Sequence, residues 1–179
     1  MSDTITTFTG VRFNPTDPKP EYFVIEDIAH SLPLICRGNG QVKEFFSVAQ
    51  HCINCAEEAA ARNYPARVQM ACLLHDAGEC YLSDVPRPFK KFIPEYYEYE
   101  DRILRVIYTK FMGRNITEEE NRLVREVDDV MLYYDLHTLL KMEEQPEPEL
   151  HIPLDYEFVP FQEVEKRYLE LFEKLRSRL

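Results

Sequence analysis

Apolar residues in this chain recur mostly at three- and four-residue spacings, the repeat of an amphipathic helix rather than the alternation of a strand. Ile25, Ile28, Ala29 and Leu32 place a short helix over residues 24–34, before Gly38-Asn39-Gly40 breaks the chain. The stripe Phe45, Phe46, Ala49, Ile53, Ala56 and Ala60 predicts a long helix over residues 42–62. A second helix follows Asn63-Tyr64-Pro65, with the proline near its start. Val68, Ala71, Cys72, Leu73 and Leu74 mark it as buried, and it is expected to end near residues 78–80. Two prolines within residues 83–88 predict a loop, since neither continues a helix.

The next long helix is predicted over residues 95–112, closed by Gly113. Thr117 and Glu120 then form a capping-box pattern. The helix they open carries Leu123, Val124, Val127, Val130, Met131, Tyr134 and Leu139 and runs to about residue 142. The acidic, proline-containing stretch 143–149 predicts a loop, and residues 161–179 a final amphipathic helix. Ahead of all these, Phe8, Val11 and Phe13 alternate among Thr and Pro, the pattern of an irregular arm with a short hairpin. The expected architecture is all-α: one helical-bundle domain over residues 1–179, with an arm over 1–24, a helical core over 25–142 and a C-terminal helix over 160–179.

Composition narrows the range of partners. A chain of 179 residues can bury a core without disulfides. Its net charge of -11 argues against a nucleic-acid polymer, whose backbone needs clustered Lys and Arg. A small phosphorylated substrate remains compatible, because one arginine, one lysine and a metal ion can hold a single phosphate. The first residues carry neither a basic nor an apolar leader pattern, so no signal peptide is expected. No apolar run is long enough to span a bilayer, so no membrane partner is expected. The odd set of Cys36, Cys52, Cys55, Cys72 and Cys80 is expected to be reduced thiols in the cytoplasm.

The chemistry concentrates in Leu74-His75-Asp76-Ala77-Gly78-Glu79. A neutral imidazole nitrogen beside a hard carboxylate suits a first-row divalent metal. Helical spacing would put Glu79 on the side of the His75-Asp76 pair. Two donors make a poor site, so others must come from elsewhere. His51 on the preceding long helix and Asp128 on the fourth are flanked by apolar residues that turn inward. Three packed helices could then aim His51, His75, Asp76 and Asp128 at one interior point. A lone histidine is more often a hydrogen-bonded core or surface residue than a ligand. The metal reading therefore depends on the order His, His-Asp, Asp, with each member on a predicted helix.

That order resembles the signature of the HD-domain superfamily of metal-dependent phosphohydrolases, in particular the branch containing bacterial 5'-deoxynucleotidases. The resemblance runs from about Glu26-Asp27-Ile28-Ala29-His30 through Asp135. It is most specific at His75-Asp76-Ala77-Gly78-Glu79 and at Asp84-Val85-Pro86-Arg87-Pro88-Phe89-Lys90. It implies that His51, His75, Asp76 and Asp128 are metal ligands, that Glu79 is the general acid/base and that Asp84 partners the attacking water or the sugar. It further implies that Arg37 clamps phosphate oxygens, with Lys90 as a second phosphate contact. For Arg37 and Lys90 a structural salt bridge stands beside this reading. Gly38 occupies the place where a tryptophan follows the arginine in the best-known deoxynucleotidases, a departure that bears on sugar selectivity.

Binuclear relatives carry further histidines between the HD pair and the last aspartate, and this chain has none there. One divalent ion is therefore expected, from Mn, Co, Fe, Ni, Zn or Mg. Asp128 is taken over its neighbour Asp129, since a one-residue shift turns a helical side chain by about 100°. Asp135 falls seven residues on, where relatives often have an acidic residue. His30 is expected to pack or hydrogen-bond near the site, and no role is assigned to His137 or His151. Cys52 and Cys55, a C-x2-C inside a predicted helix, could be half a zinc site or a redox pair and are read as packing residues. The expected activity is hydrolysis of a phosphate ester, as in a (deoxy)nucleoside 5'-monophosphate, with the resemblance pointing to a homodimer. Two alternatives keep the same residues: another nucleotide substrate (cyclic, di- or triphosphate, or alarmone), or a non-catalytic metal- or nucleotide-binding module.

Overall fold

The computed structural model describes residues 3–140 and 147–179. The expected hairpin forms in the N-terminal arm, with β1 (Ile5–Thr6) antiparallel to β2 (Arg12–Phe13). The arm is tied down. Phe13 is fully buried and stacks on Tyr81 at 4.2 Å, and the Asp27 carboxylate accepts from the Thr9 N–H at 2.7 Å and hydroxyl at 2.9 Å. Next comes α1 (Ile25–Ser31), which tightens into a 3₁₀ turn at Leu32–Leu34. Gly38 and Asn39 then adopt left-handed φ angles of 58° and 54°, which turn the chain directly after Arg37.

α2 (Val48–Ala61) begins six residues later than the apolar stripe predicts. Ser47 caps it. The Ser47 Oγ accepts from the Gln50 N–H at 3.2 Å, and the Gln50 side chain accepts from the Ser47 N–H at 3.0 Å. The preceding residues are extended instead of helical because a bridge between Cys36 and Ser47 takes their backbone groups. The Arg37 N–H donates to the Phe46 carbonyl at 2.8 Å, and the Val48 N–H to that of Ile35 at 3.0 Å. Phe46 still reaches the interior, against Tyr156.

α3 (Ala66–Leu74) also ends earlier than expected, just before the His-Asp pair. Residues 75–78 form tight turns, with the Ala77 N–H bonded to the Leu74 carbonyl and the Glu79 N–H to that of Asp76, both at 2.9 Å. Asp76 therefore sits on a turn and not on a helix. The chain resumes as the single turns α4 (Glu79–Leu82) and α5 (Arg87–Lys90). The predicted loop over residues 83–88 is thus cut short. Pro86 caps α5 and Pro88 lies in its first turn, where the missing N–H costs nothing.

α6 (Pro94–Met112) closes at left-handed Gly113, as expected. α7 (Glu118–Leu140) opens on the Thr117–Glu120 capping box. The predicted last turn of α7 to residue 142 and most of the 143–149 loop lie outside the described residues; 147–149 are irregular. α8 (Phe161–Arg176) stops three residues short of the predicted end.

Among the described residues the regular structure is helical apart from the two-stranded hairpin, an all-α architecture. α2 and α3 form the central pair, with α7 and α8 packed against both and α6 against α3. Buried side chains form one core cluster running from Phe13 to Leu175. The Tyr168 hydroxyl donates to the Leu73 carbonyl at 2.7 Å, which fixes α8 beneath the turn that carries His75 and Asp76.

Candidate metal centre

His51 is fully buried on α2, one turn past its cap. Its Nδ1 meets Asp135 Oδ2 at 2.8 Å, and its Nε2 meets Asp128 Oδ1 at 3.1 Å. Asp128 and Asp135 are seven residues apart, two turns along the inward face of α7. The Tyr156 hydroxyl donates to the second Asp135 oxygen at 3.0 Å. His75 is arranged the same way. Its Nδ1 donates to the Cys72 carbonyl at 2.7 Å, which leaves Nε2 facing Asp76 Oδ2 at 3.3 Å and Asp128 Oδ1 at 3.6 Å. Neither carboxylate lies in line for a hydrogen bond, so this shielded nitrogen has no partner. Both histidines thus have Nδ1 fixed and Nε2 aimed at the same carboxylates, the arrangement that orients imidazole ligands in metal sites.

Arg37 reaches the same place. Its Nη1 lies 3.5 Å from Asp76 Oδ2 and its Nε 3.4 Å from Asp135 Oδ2. Burial works against its charge, but Asp135 and Asp76 hold the guanidinium firmly protonated. Burial also raises the Asp128 carboxyl, yet the His51 hydrogen bond and the nearby His75 and His51 imidazoles outweigh it and leave the group well below the usual carboxylate range.

Glu79 is 4% exposed, and its Oε2 has no hydrogen-bond partner. Burial, then the negative charges of Asp76 and Asp84, push its carboxyl well above the ordinary value, against the opposing pull of Arg37 and Lys90. Asp84 is raised by burial and by Asp76, again opposed by Arg37 and Lys90. Glu79, Asp84, Arg37, Asp76, Lys90 and Asp128 line a cavity of about 430 Å³, whose other wall is apolar: Val42, Val85, Leu132, Leu136, Leu139 and Leu140. A second cavity, of about 760 Å³, meets it at Asp76, Arg87, Lys90 and Asp128.

All eight residues singled out in the sequence therefore converge. Lys90 enters already paired, with its Nζ 2.7 Å from Glu100 and over the Tyr96 ring. His30 instead stacks on Phe8 and meets Glu165 at 3.2 Å, lining neither cavity. His137 bonds the Tyr133 carbonyl, and His151 anchors on buried Glu58 at 2.8 Å.

Sequence reasoning missed Arg87, which bonds Asp128 Oδ2 and, at 2.9 Å, Asp129 Oδ1. Its place in a two-proline segment hid the helical turn that aims it. Tyr156 had no local signal at all. Both thiols are buried in the core, as packing residues would be, and both also approach an imidazole: Cys55 Sγ lies 3.5 Å from His51 Nε2, and Cys52 Sγ 3.9 Å from His75 Nδ1. Both thiols are pushed up by burial. The four-residue interval from His51 to Cys55 was the available clue.

Fold and site together define an all-α protein with a buried His/Cys/Asp cluster compatible with a metal ion. No protein-family model matches the chain. It is 38% identical over 107 residues to the uncharacterized protein YfdR of Escherichia coli (strain K12), which covers 60% of this chain and 57% of YfdR. It is 39% identical over 109 residues to an uncharacterized protein of Rhodobacter capsulatus, covering 58% of this chain and 55% of that protein. The matches thus span little more than half the length of these curated relatives.

Proposed function

We propose that the protein is a metal-dependent phosphohydrolase of the HD class that cleaves a phosphate ester of nucleoside 5'-monophosphate type. The observation that carries this reading is two oriented imidazoles facing Asp76 and Asp128, carboxylates that share one cavity with Glu79, a buried acid whose Oε2 has no hydrogen-bond partner. The donor chemistry fits a divalent ion: His75 Nε2 is shielded, unpaired and 3.3–3.6 Å from two carboxylates. His51, His75, Asp76 and Asp128 would hold it. A divalent ion there supplies Lewis-acid polarisation of the phosphoryl oxygen and a water of lowered pKa.

The protein's own groups do the rest. The Arg37 guanidinium has five N–H donors, so its two carboxylate contacts leave others for the phosphate. Burial and the charges of Asp76 and Asp84 favour the protonated form of Glu79, which can give its proton to the leaving alkoxide. Asp84 accepts from water or from a sugar hydroxyl at the mouth of the same cavity. The apolar wall formed by Val85, Leu136 and Leu139 suits the face of a nucleoside base.

A larger phosphorylated nucleotide is the second reading, favoured by the adjoining 760 Å³ cavity with Lys91, Arg105 and Arg125 on its lining. The test is phosphate release from a panel of nucleotides with Mn²⁺, Co²⁺ or Mg²⁺. Turnover on monophosphates is expected, with Asp76→Ala and Glu79→Ala folded but losing most of it. Turnover confined to di- or triphosphates selects the second reading. Full activity in both variants removes the chemistry from this site, and no release from any nucleotide removes the phosphohydrolase assignment and leaves a binding module.

A further inference from the structure

Cys55 lies one turn after His51 on α2, so both side chains leave the same helix face. Its Sγ is 3.5 Å from His51 Nε2, the nitrogen that also faces Asp128 Oδ1 at 3.1 Å. The partnerless His75 Nε2 lies 3.6 Å from that same oxygen. One donor atom from each of His51, Cys55, His75 and Asp128 lies within 4.8 Å of every other. Bonds of ordinary length to nitrogen, oxygen and sulfur place neighbouring donors of a four- or five-coordinate ion roughly 3–4 Å apart. The three measured separations, 3.1, 3.5 and 3.6 Å, are on that scale before any ion draws the groups together. A cysteine that served only packing would meet hydrocarbon, whereas this one meets the imidazole nitrogen at the focus of the cluster.

We propose that Cys55 is itself a metal ligand, adding a thiolate to the His51, His75 and Asp128 donors, with Asp76 completing the set. This rests on the metal-centre reading above and deepens it. When the metal–sulfur bond forms, the S–H bond breaks and its proton leaves to solvent, with no change of oxidation state. A thiolate is a soft donor, so the centre selects zinc, iron(II) or cobalt(II) over magnesium. Cys52 is excluded by direction. Although Cys52, His75 and Asp76 also bring donor atoms within 4.8 Å of one another, Cys52 approaches His75 Nδ1, which already bonds the Cys72 carbonyl.

The test loads the metal-free full-length chain with one equivalent of Co²⁺. It reads bound cobalt by elemental analysis and thiolate-to-cobalt charge transfer by near-ultraviolet absorption. The expected result is a bound ion with the charge-transfer band. Cys55→Ser should lose the band and bind cobalt at least about tenfold more weakly, and Cys52→Ser should keep it. Cys55→Ala replaces the serine variant if a buried hydroxyl unfolds the chain, and the wild-type spectrum needs no variant. Bound cobalt without the band, or a band that survives removal of Cys55, overturns the thiolate ligand and leaves the metal centre intact. No cobalt bound to the wild type overturns both.

Discussion

Glu79 and Arg87 occupy the same cavity wall and do different work. Glu79 is a buried carboxyl whose Oε2 meets no donor, beside Asp76 and Asp84 that oppose its ionisation. Burial and these two neighbours favour its acid form. As proton donor it should give a rate that falls as pH rises through its raised pKa. Glu79→Gln, which has no acidic proton, should lose about 10²–10⁴ in kcat with KM little changed. A pH–rate profile of the variant with its alkaline limb unchanged would assign that limb elsewhere. Arg87 acts on Asp128: one carboxylate oxygen faces the histidines while the other takes the guanidinium. Arg87 is half exposed, so its pairing adds little to stability, within about 1 kcal/mol. Its value lies in fixing a donor. Arg87→Ala should weaken metal affinity by about 10–100-fold with the melting temperature nearly unchanged, measured by metal titration beside thermal denaturation.

At the scale of elements, the helices that carry His51 and Asp128 begin at caps. Ser47→Ala removes the α2 cap and should cost about 1 kcal/mol, a fall of roughly 2–4 °C in Tm for a chain of this size. An unchanged Tm would mean that packing alone sets where α2 starts. The Ser47–Gln50 signal was present in the sequence, but the apolar pair Phe45-Phe46 fits a helical stripe equally well. What separates the alternatives is the backbone bridge to Cys36, a long-range contact that periodicity does not carry. Likewise, Leu73 and Leu74 read correctly as buried, yet the switch to i→i+3 bonding at His75 has no signature in residue type. The Thr117–Glu120 box and Gly113 were legible because both are local backbone chemistry. The convergence of His51, His75, Asp76 and Asp128 was legible for a related reason: His51 and Asp128 lie on helix faces that their apolar neighbours define. Tyr156 and the Arg87 contact depend on chain crossings that spacing cannot supply.

At the scale of the molecule, one core joins the N-terminal arm to α8, so the site floor is braced from both ends of the chain. The net charge of -11 leaves many carboxylates unpaired, and Glu120 is an exception. The Arg114 guanidinium, against a smaller burial penalty and aided by the Thr117 N–H, holds its carboxyl down at about 2. A depressed carboxyl stabilises the fold above its unfolded value and loses that contribution as pH falls through the folded one. The Tm gap between wild type and Glu120→Gln should therefore shrink as pH drops from about 5 to about 2. A gap independent of pH would assign Glu120 to packing alone.

Among the described residues no helix is long and apolar enough to cross a membrane. The mixed cavity reaches Asp76 and Asp128, the carboxylates that His51 and His75 face. The most direct measurement is the number of transition-metal ions retained per chain after loading with Mn²⁺, Co²⁺ or Zn²⁺ and gel filtration. One ion per wild-type chain is expected, and close to none in a His75→Ala, Asp128→Ala double variant that keeps its helical circular dichroism. A wild-type chain that retains no ion, or a double variant that retains as much as the wild type, would contradict a metal centre at this site.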